Sequence, residues 1–172
     1  MLKAHAALDY WQDRNRIGRY PGLVGEVRDL AGELVTVHLT YLAAGRKLEG
    51  FEPRKILTKT EGREGCAVRL LPPTDVLGIA EGIETALSAA VLEGTPVWAA
   101  LNTSLLQKFE PPAGVTVLRI YADRDAPGLL AAGQLMERLQ GRVRFELRVP
   151  PGNAKDFNDL LMSRRRGEVS HV

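Results

Sequence analysis

The hydrophobic rhythm of this chain changes near Pro72-Pro73. Ahead of that point apolar and polar residues alternate singly. In 22-GLVGEVRDLAGELVTVHLTYL-42 two extended runs, GLVGEVRDL and ELVTVHLTYL, flank a turn at Leu30-Ala31-Gly32. Val35, Val37 and Leu39 alternate with Thr36, His38 and Thr40, the period of a half-buried strand, and the two runs predict a β-hairpin. Residues 53–64 are basic and irregular and predict a loop, and 66-CAVRLL-71 predicts another strand.

Behind the prolines, short apolar runs take turns with helical patterns. Val76 to Ala80 predicts a strand, and 83-IETALSAAVLEG-94 a helix ending at Gly94. A strand over 96-PVWAAL-101 and a short helix near 103-TSLLQKF-109 come next. Val115 to Ala122 is β-branched and apolar, the most strand-like run in the chain. Pro127 to Gln140 predicts a helix with proline in its first turn and Gly141 as its stop. Val143 to Val149 predicts a strand, and 156-DFNDLLMSRR-165 a last helix. The β-α-β-α rhythm implies an α/β fold, a mostly parallel sheet with helices on both faces, preceded by a small β-rich domain. The division expected is 1–71 for the β-rich part and 72–172 for the α/β part. Neither an internal repeat nor a low-complexity segment is visible.

Composition adds little to this picture and charge somewhat more. With 172 residues, 45% hydrophobic and 26% charged, the chain suits a globular domain plus a small appendage. A net charge of +2 permits an anionic partner without demanding one. Basic residues gather in 52-EPRKILTKT-60 and 163-SRRRG-167, whereas acidic ones concentrate near Glu81, Asp123 and Asp156. An acidic site flanked by basic segments suits a metal enzyme acting on phosphates; solvated faces would look the same on charge alone. The single cysteine, Cys66, excludes an internal disulfide and a cysteine-based zinc module within the chain, and reads as a small buried residue. The first residues hold no apolar core of signal-peptide length and no run approaches membrane-spanning length, so a cytoplasmic location without a membrane partner is expected.

Function in parallel sheets gathers at the carboxyl ends of strands. Glu81 follows the strand ending at Ala80, with Gly82 expected to let the backbone turn into the helix. Asp123 and Asp125 follow the strand ending at Ala122, and 156-DFND-159 follows the loop 150-PPGNAK-155. Carboxylates converging on one rim repel each other unless a cation stands between them. Mg²⁺, with Mn²⁺ as a substitute, is the ion for oxygen ligands and substrate phosphate. His5, His38 and His171 are scattered and read as surface or packing residues. Each acid also has a structural reading. Glu81 suits a helix N-terminus, Asp123 and Asp125 suit an N-cap and a turn former ahead of Pro127, and Asp156 suits a cap with Asp159 in the first helical turn. Their joint placement at one edge favours a site.

The segments 79-IAEGIETALSAA-90, 120-IYADRDAPG-128 and 155-KDFNDLL-161 together resemble the Toprim domain, shared by primases, topoisomerases and some nucleases. The form EGIETAL with a final KDFND is similar to the Toprim domains of phage- and plasmid-type primases and primase-helicases. The leading segments 5-HAALDYW-11, 34-LVTVHLTYL-42 and 53-PRKILT-58 look like the small domain ahead of Toprim in that branch. The resemblance implies Mg²⁺-dependent, DNA primase-like nucleotidyl transfer in replication of a phage or plasmid type element. Glu81, Asp123 and Asp125 would be the catalytic and metal-holding residues, with Asp156 and Asp159 as further metal candidates. Arg54, Lys55, Arg124 and Lys155 are candidates for phosphate or template contacts by charge and placement. Partners implied are a single-stranded DNA template and nucleoside triphosphates. Primases of this kind carry a zinc module and often a helicase. One cysteine and no G-x-x-x-x-G-K-[ST] loop place neither within this sequence, as expected of a fragment, a stand-alone core or a subunit partnered by a helicase or zinc-binding module on another chain. The same carboxylates would serve a Toprim nuclease, and a non-catalytic nucleic-acid or replication-partner module is the reading from another class. A phosphoaspartyl phosphatase also places DxD after a strand, but Pro127 stands where its Thr or Val would be.

Overall fold

The computed structural model describes residues 1–58 and 65–167. Its first half is built from hairpins. β1 (Leu2–Gln12) and β2 (Asn15–Arg28) are joined by the two-residue turn Asp13-Arg14, with φ of 49° and 66°. Positive φ at both central residues is the turn whose twist matches that of paired strands. β2 continues through Gly32, φ 87°, into β3 (Leu34–Ala43), the expected hairpin, and β4 (Arg46–Lys47) and β5 (Arg54–Ile56) both pair with β3. β1 and the first part of β2 form where the sequence predicted no element. β5 corrects the expected loop over 53–64, of which 59–64 lie outside the described residues. Neither Arg-Lys-Ile nor the mixed run of β1 carries a strand pattern of its own; a partner strand supplies their hydrogen bonds.

The second half follows the predicted order. After β6 (Ala67–Val68), the last strand of the first half, it comprises β7 (Val76–Ala80), α1 (Ile83–Glu93), β8 (Val97–Ala99) and α2 (Thr103–Gln107), then β9 (Val117–Tyr121), α3 (Ala126–Arg138), β10 (Arg144–Arg148) and α4 (Phe157–Arg165). α1 ends on left-handed Gly94 (φ 64°), where a side chain would be strained. Asn102, Asp125 and Asp156 cap α2, α3 and α4 through their side chains.

All strands join one ten-stranded sheet, ordered β10-β9-β7-β8-β6-β2-β3-β4, with β1 beside β2 and β5 beside β3. β10, β9, β7 and β8 run parallel, and every other pairing is antiparallel. Helices cover both faces of the parallel part. Tyr121 on β9 meets Phe157 of α4 edge-on at 5.0 Å and bonds Glu93 at the end of α1. Trp98 on β8 points to the other face, where it meets Phe109 just past α2 at 6.2 Å. The main core runs through both halves of the chain, with Val27, Cys66 and Val68 packed with Leu77, Ile79, Trp98, Leu118 and Ile120. Among the described residues no helix is long and apolar enough to cross a membrane.

β3 keeps its predicted alternation, but the polar residues face the larger burial. Thr36, His38 and Thr40 are 7%, 5% and 4% exposed, whereas Val35 and Val37 are only half-buried. The reason lies in register. His38 pairs with Gly25, and a Cβ at Gly25 would stand 3.1 Å from Val68 and 3.5 Å from Ile83 of α1. The Thr-His-Thr face is therefore the one turned toward α1. Leu39 and Tyr41 face the other way into a small aromatic cluster with Tyr10 and Leu48.

Candidate active site at the carboxyl edge of the sheet

The parallel register β10-β9-β7-β8 places the ends of β7 and β9 side by side, with Ala80 opposite Tyr121. Glu81 and Asp123 emerge one and two residues later. Asp125 then caps α3, its Oδ1 accepting the Gly128 N–H at 2.7 Å, in the role that a polar residue before Pro127 predicts. The third loop is drawn in by backbone bonds. Ala122 N–H donates to Arg148 at 3.0 Å, Arg124 N–H donates to Lys155 at 2.7 Å, and the Arg124 guanidinium donates to the Pro150 carbonyl. Asp156 thereby arrives beside Asp123 at the start of α4.

The electrostatics report this convergence. Burial, followed by the charges of Asp156, Glu81 and Asp125, pushes the Asp123 carboxyl up to about 6, against a weak opposing hydrogen bond from Thr85 at 3.4 Å. Glu81 is raised as well, first by burial and then by Asp125, with Arg54 pulling the other way. The half-buried Asp123 thus stands within the field of three further acids, from its own strand end and from two others.

Asp156 and Asp159 also cap α4 reciprocally. Asp156 Oδ1 accepts the Asp159 N–H at 2.7 Å, and Asp159 Oδ2 accepts the Lys155 N–H at 3.2 Å. Only Asp156 of the two is among the groups that raise Asp123. Gly82 takes φ −94° and ψ 152°, extended backbone open to any residue, so the expected need for glycine to turn into the helix is not met there.

The candidate cations separate. Arg54 and Lys55 are neighbours on β5 and point to opposite faces, as strand residues must. Arg54 lies 3.9 Å from Glu84 and acts on Glu81, whereas Lys55 stands 4.0 Å above the Tyr10 ring and donates to the Trp11 carbonyl. Arg124 is committed to the Pro150 loop, and Lys155 is exposed beside Asp156.

Three groups at the site had no separate signal in the sequence. Lys47 forms a 2.8 Å ion pair with Glu84 from across the sheet. Burial would raise Glu84, but the Lys47 hydrogen bond, its own backbone N–H and Arg54 outweigh this and hold it below the usual carboxylate range. His38 is buried beside Arg54 and Lys47, which with burial keep its pKa low despite Glu84. A cleft of about 570 Å³, lined by Thr40, Arg46, Lys47, Glu84 and Asn158, opens between this basic edge and the helices. Thr85, in the first turn of α1, reaches the site as well, its hydroxyl donating to Asp123 at 3.4 Å.

Among the described residues no three carboxylate, histidine or cysteine side chains form a ready-made metal cage. The donor set still fits a hard divalent ion held by few protein ligands. It consists of carboxylate oxygens alone, and the caps at Asp125 and Asp156 occupy one oxygen of each, leaving the other. Their mutual repulsion is what a cation relieves.

Comparison with known proteins bears on the fold that carries this rim. A model described as the Toprim domain matches residues 76–167, and a domain of unknown function (DUF7146) matches residues 1–70. No curated protein matches. Among solved structures, the primase fragment of the bacteriophage T7 primase-helicase protein aligns with a TM-score of 0.59 at 17% identity, over 87% of this chain and 60% of that one. A DNA primase domain from Pseudomonas aeruginosa gives 0.58 at 15% identity over 94% and 55%. A DnaG primase catalytic domain bound to ssDNA gives 0.54 at 16% over 94% and 52%. The chain thus spans between half and three-fifths of those structures, and at such identities the likeness establishes the fold. With its acidic rim and a family match over more than half its length, this chain belongs to the Toprim domain family.

Proposed function

We propose that the chain is a primase-like nucleotidyltransferase core acting in DNA replication of a phage or plasmid type element, with the catalytic unit at 72–172 and the β-rich unit at 1–71. The observation that carries the reading is the convergence of Glu81, Asp125 and Asp156 on the half-buried Asp123, where burial and these carboxylates raise its carboxyl to about 6. Likeness in fold to primase domains supports the choice of reaction.

In this reading Asp123 and Asp125 hold Mg²⁺, with Glu81 and Asp156 beside them and Asp159 fixing the turn that carries Asp156. When bound, the ion neutralises the phosphates of the incoming nucleotide. The 3′-hydroxyl oxygen of one nucleotide bonds to the α-phosphorus of the next, the bond to pyrophosphate breaks, and Glu81, raised by burial, is placed to take the hydroxyl proton. Arg54, held by Glu84 above the rim, and Lys155 contact phosphates. The substrates are nucleoside triphosphates on a single-stranded DNA template, and the partner is a helicase or zinc-binding module, on this protein or on another chain.

The test is incubation with Mg²⁺ or Mn²⁺, a single-stranded template and labelled ribonucleotides. Template-dependent oligonucleotides, lost in Glu81→Gln and in Asp123→Asn, support the proposal. Shortened template with no extension products assigns the rim to a Toprim nuclease instead.

A further inference from the structure

The β1–β2 hairpin outreaches the sheet it belongs to. β2 pairs with β3 only from Gly22 onward, so Leu8–Gln12 and Asn15–Tyr20 pair with each other alone, as a two-stranded arm. Such a ribbon is marginal by itself. One face is anchored: Tyr10 packs edge-on against Tyr41 at 4.8 Å and Tyr20 at 6.1 Å, and its ring carries the Lys55 ammonium. The rest is open. Trp11 is 51% exposed and Ile17 44%. Asp9 accepts from Arg16 and Arg19 at 2.8 Å each, holding both guanidinium groups on the arm. Arg14 sits at the tip in left-handed backbone, a conformation that disfavours arginine and is retained only against a cost. Arg14, Arg16, Arg19 and Lys55 make four cations against two aspartates, Asp9 and Asp13.

An exposed indole among fixed guanidinium groups is the surface that a flexible polyanion with planar rings recognises, through phosphate pairing and base stacking. Lys55 ties the arm to β5 through the Trp11 carbonyl, and the next residue, Arg54, acts on Glu81. The arm therefore begins where the basic edge of the acidic rim ends. We infer that the β1–β2 arm is a stacking surface for single-stranded nucleic acid, with Trp11 as its base platform and Arg14, Arg16 and Arg19 as its phosphate contacts. In its choice of ligand this rests on the proposed function.

The two tryptophans make the test direct, because Trp98 is 2% exposed and Trp11 reports the arm. The full chain is titrated with oligo(dT) of about 16 nucleotides, a length at the upper end of single-strand site sizes, following tryptophan emission and, separately, anisotropy of a labelled strand. Quenching on binding is expected, and Trp11→Ala should weaken affinity roughly 10-fold, the scale of one lost base stack. Arg14→Ala should flatten the salt dependence of binding. Melting temperature and Mn²⁺ binding of both variants should match the parent. Unchanged affinity in Trp11→Ala, saturation without quenching, or no oligonucleotide binding at all overturns the inference. So does a Trp11-dependent dimer seen by sedimentation, which gives the surface to a second copy of the chain. Loss of primer synthesis in the parent with oligonucleotide binding intact would instead count against the proposed reaction alone.

Discussion

Asp123 is the carboxylate on which the charges of the rim converge, and its protonation is the handle on the site. Its folded value of about 6 lies above its ordinary 3.8. Between those values the folded chain binds more protons than the unfolded one, so this group's contribution to stability falls as pH rises through the window. Glu81 acts in the same direction. Asp9, Glu26, Glu84 and Glu146 are lowered by arginine and lysine partners and act in the opposite one. The informative quantity is the difference between parent and variant. Without metal, Asp123→Asn should melt above the parent at about pH 7, and the gap should close by about pH 4, where the parent's Asp123 is itself protonated. Mg²⁺ should raise the melting temperature of the parent at neutral pH and leave that of Asp123→Asn unmoved. Thr85→Val removes the one hydrogen bond that lowers Asp123. Its acid limb for Mn²⁺ binding, followed by calorimetry across pH, should shift upward. An unshifted limb would detach Thr85 from the site. Position along the chain made the placing of Glu81, Asp123 and Asp125 legible, since all three lie in the loops between an apolar strand and the helix that follows it. The Lys47–Glu84 pair was not, because it joins residues that only the folded sheet brings together.

Elements tell the same story about what a local pattern can carry. β7, β8 and β9 were readable because each is apolar enough to be buried where parallel strands must be, and the edge strand β10, with no buried residue, by its place in the β-α rhythm. β7 has the expected bounds, whereas β8, β9 and β10 were read too long by one or two residues at each end, where the chain leaves the ladder for its loops. β1 and β5 were invisible, because their strand character comes from partners distant in sequence. At β3 the alternation was legible but not which face the α/β half would cover. Two backbone positions turn these element-level facts into measurements. Gly78 on β7 lies under Tyr121 and Val97, and a Cβ there would stand 2.6 Å and 2.7 Å from their side-chain atoms. Gly78→Ala should therefore cost roughly 2 kcal/mol through overpacking, read as a lower urea midpoint at unchanged slope. Arg14 is the reverse case. Arg14→Gly frees a left-handed turn position and should stabilise the chain by about 1 kcal/mol in the same assay. If the arm holds nucleic acid, that gain in stability should come with weaker oligonucleotide binding. A loss of stability would mean that the tip is not strained.

At the scale of the molecule, the two family matches divide the chain near residue 70, yet the sheet and the core do not stop there. β6 pairs with β2 on one side and touches β8 through Val68 and Ala99 on the other. Val27 of the β-rich half lies in the same core as Leu77 and Trp98. The connecting segment is clamped as well: the Trp98 indole donates to the Leu71 carbonyl at 2.8 Å, and Arg69 stacks on the same ring at 4.6 Å. Thr36, His38 and Thr40 lie buried against the α1 side and would be exposed by separation, together with the apolar face of α1 beneath them. The boundary between the two family matches is therefore not a boundary of the sheet or of the core. The full chain should unfold in one cooperative step, with helix signal and Trp98 emission changing at the same denaturant concentration. Trp98→Phe isolates Trp11 on the β-rich half, whose emission should follow that same transition. Two separated transitions, the Trp11 signal leading, would show that the β-rich half unfolds on its own and that the continuous sheet couples the halves only weakly.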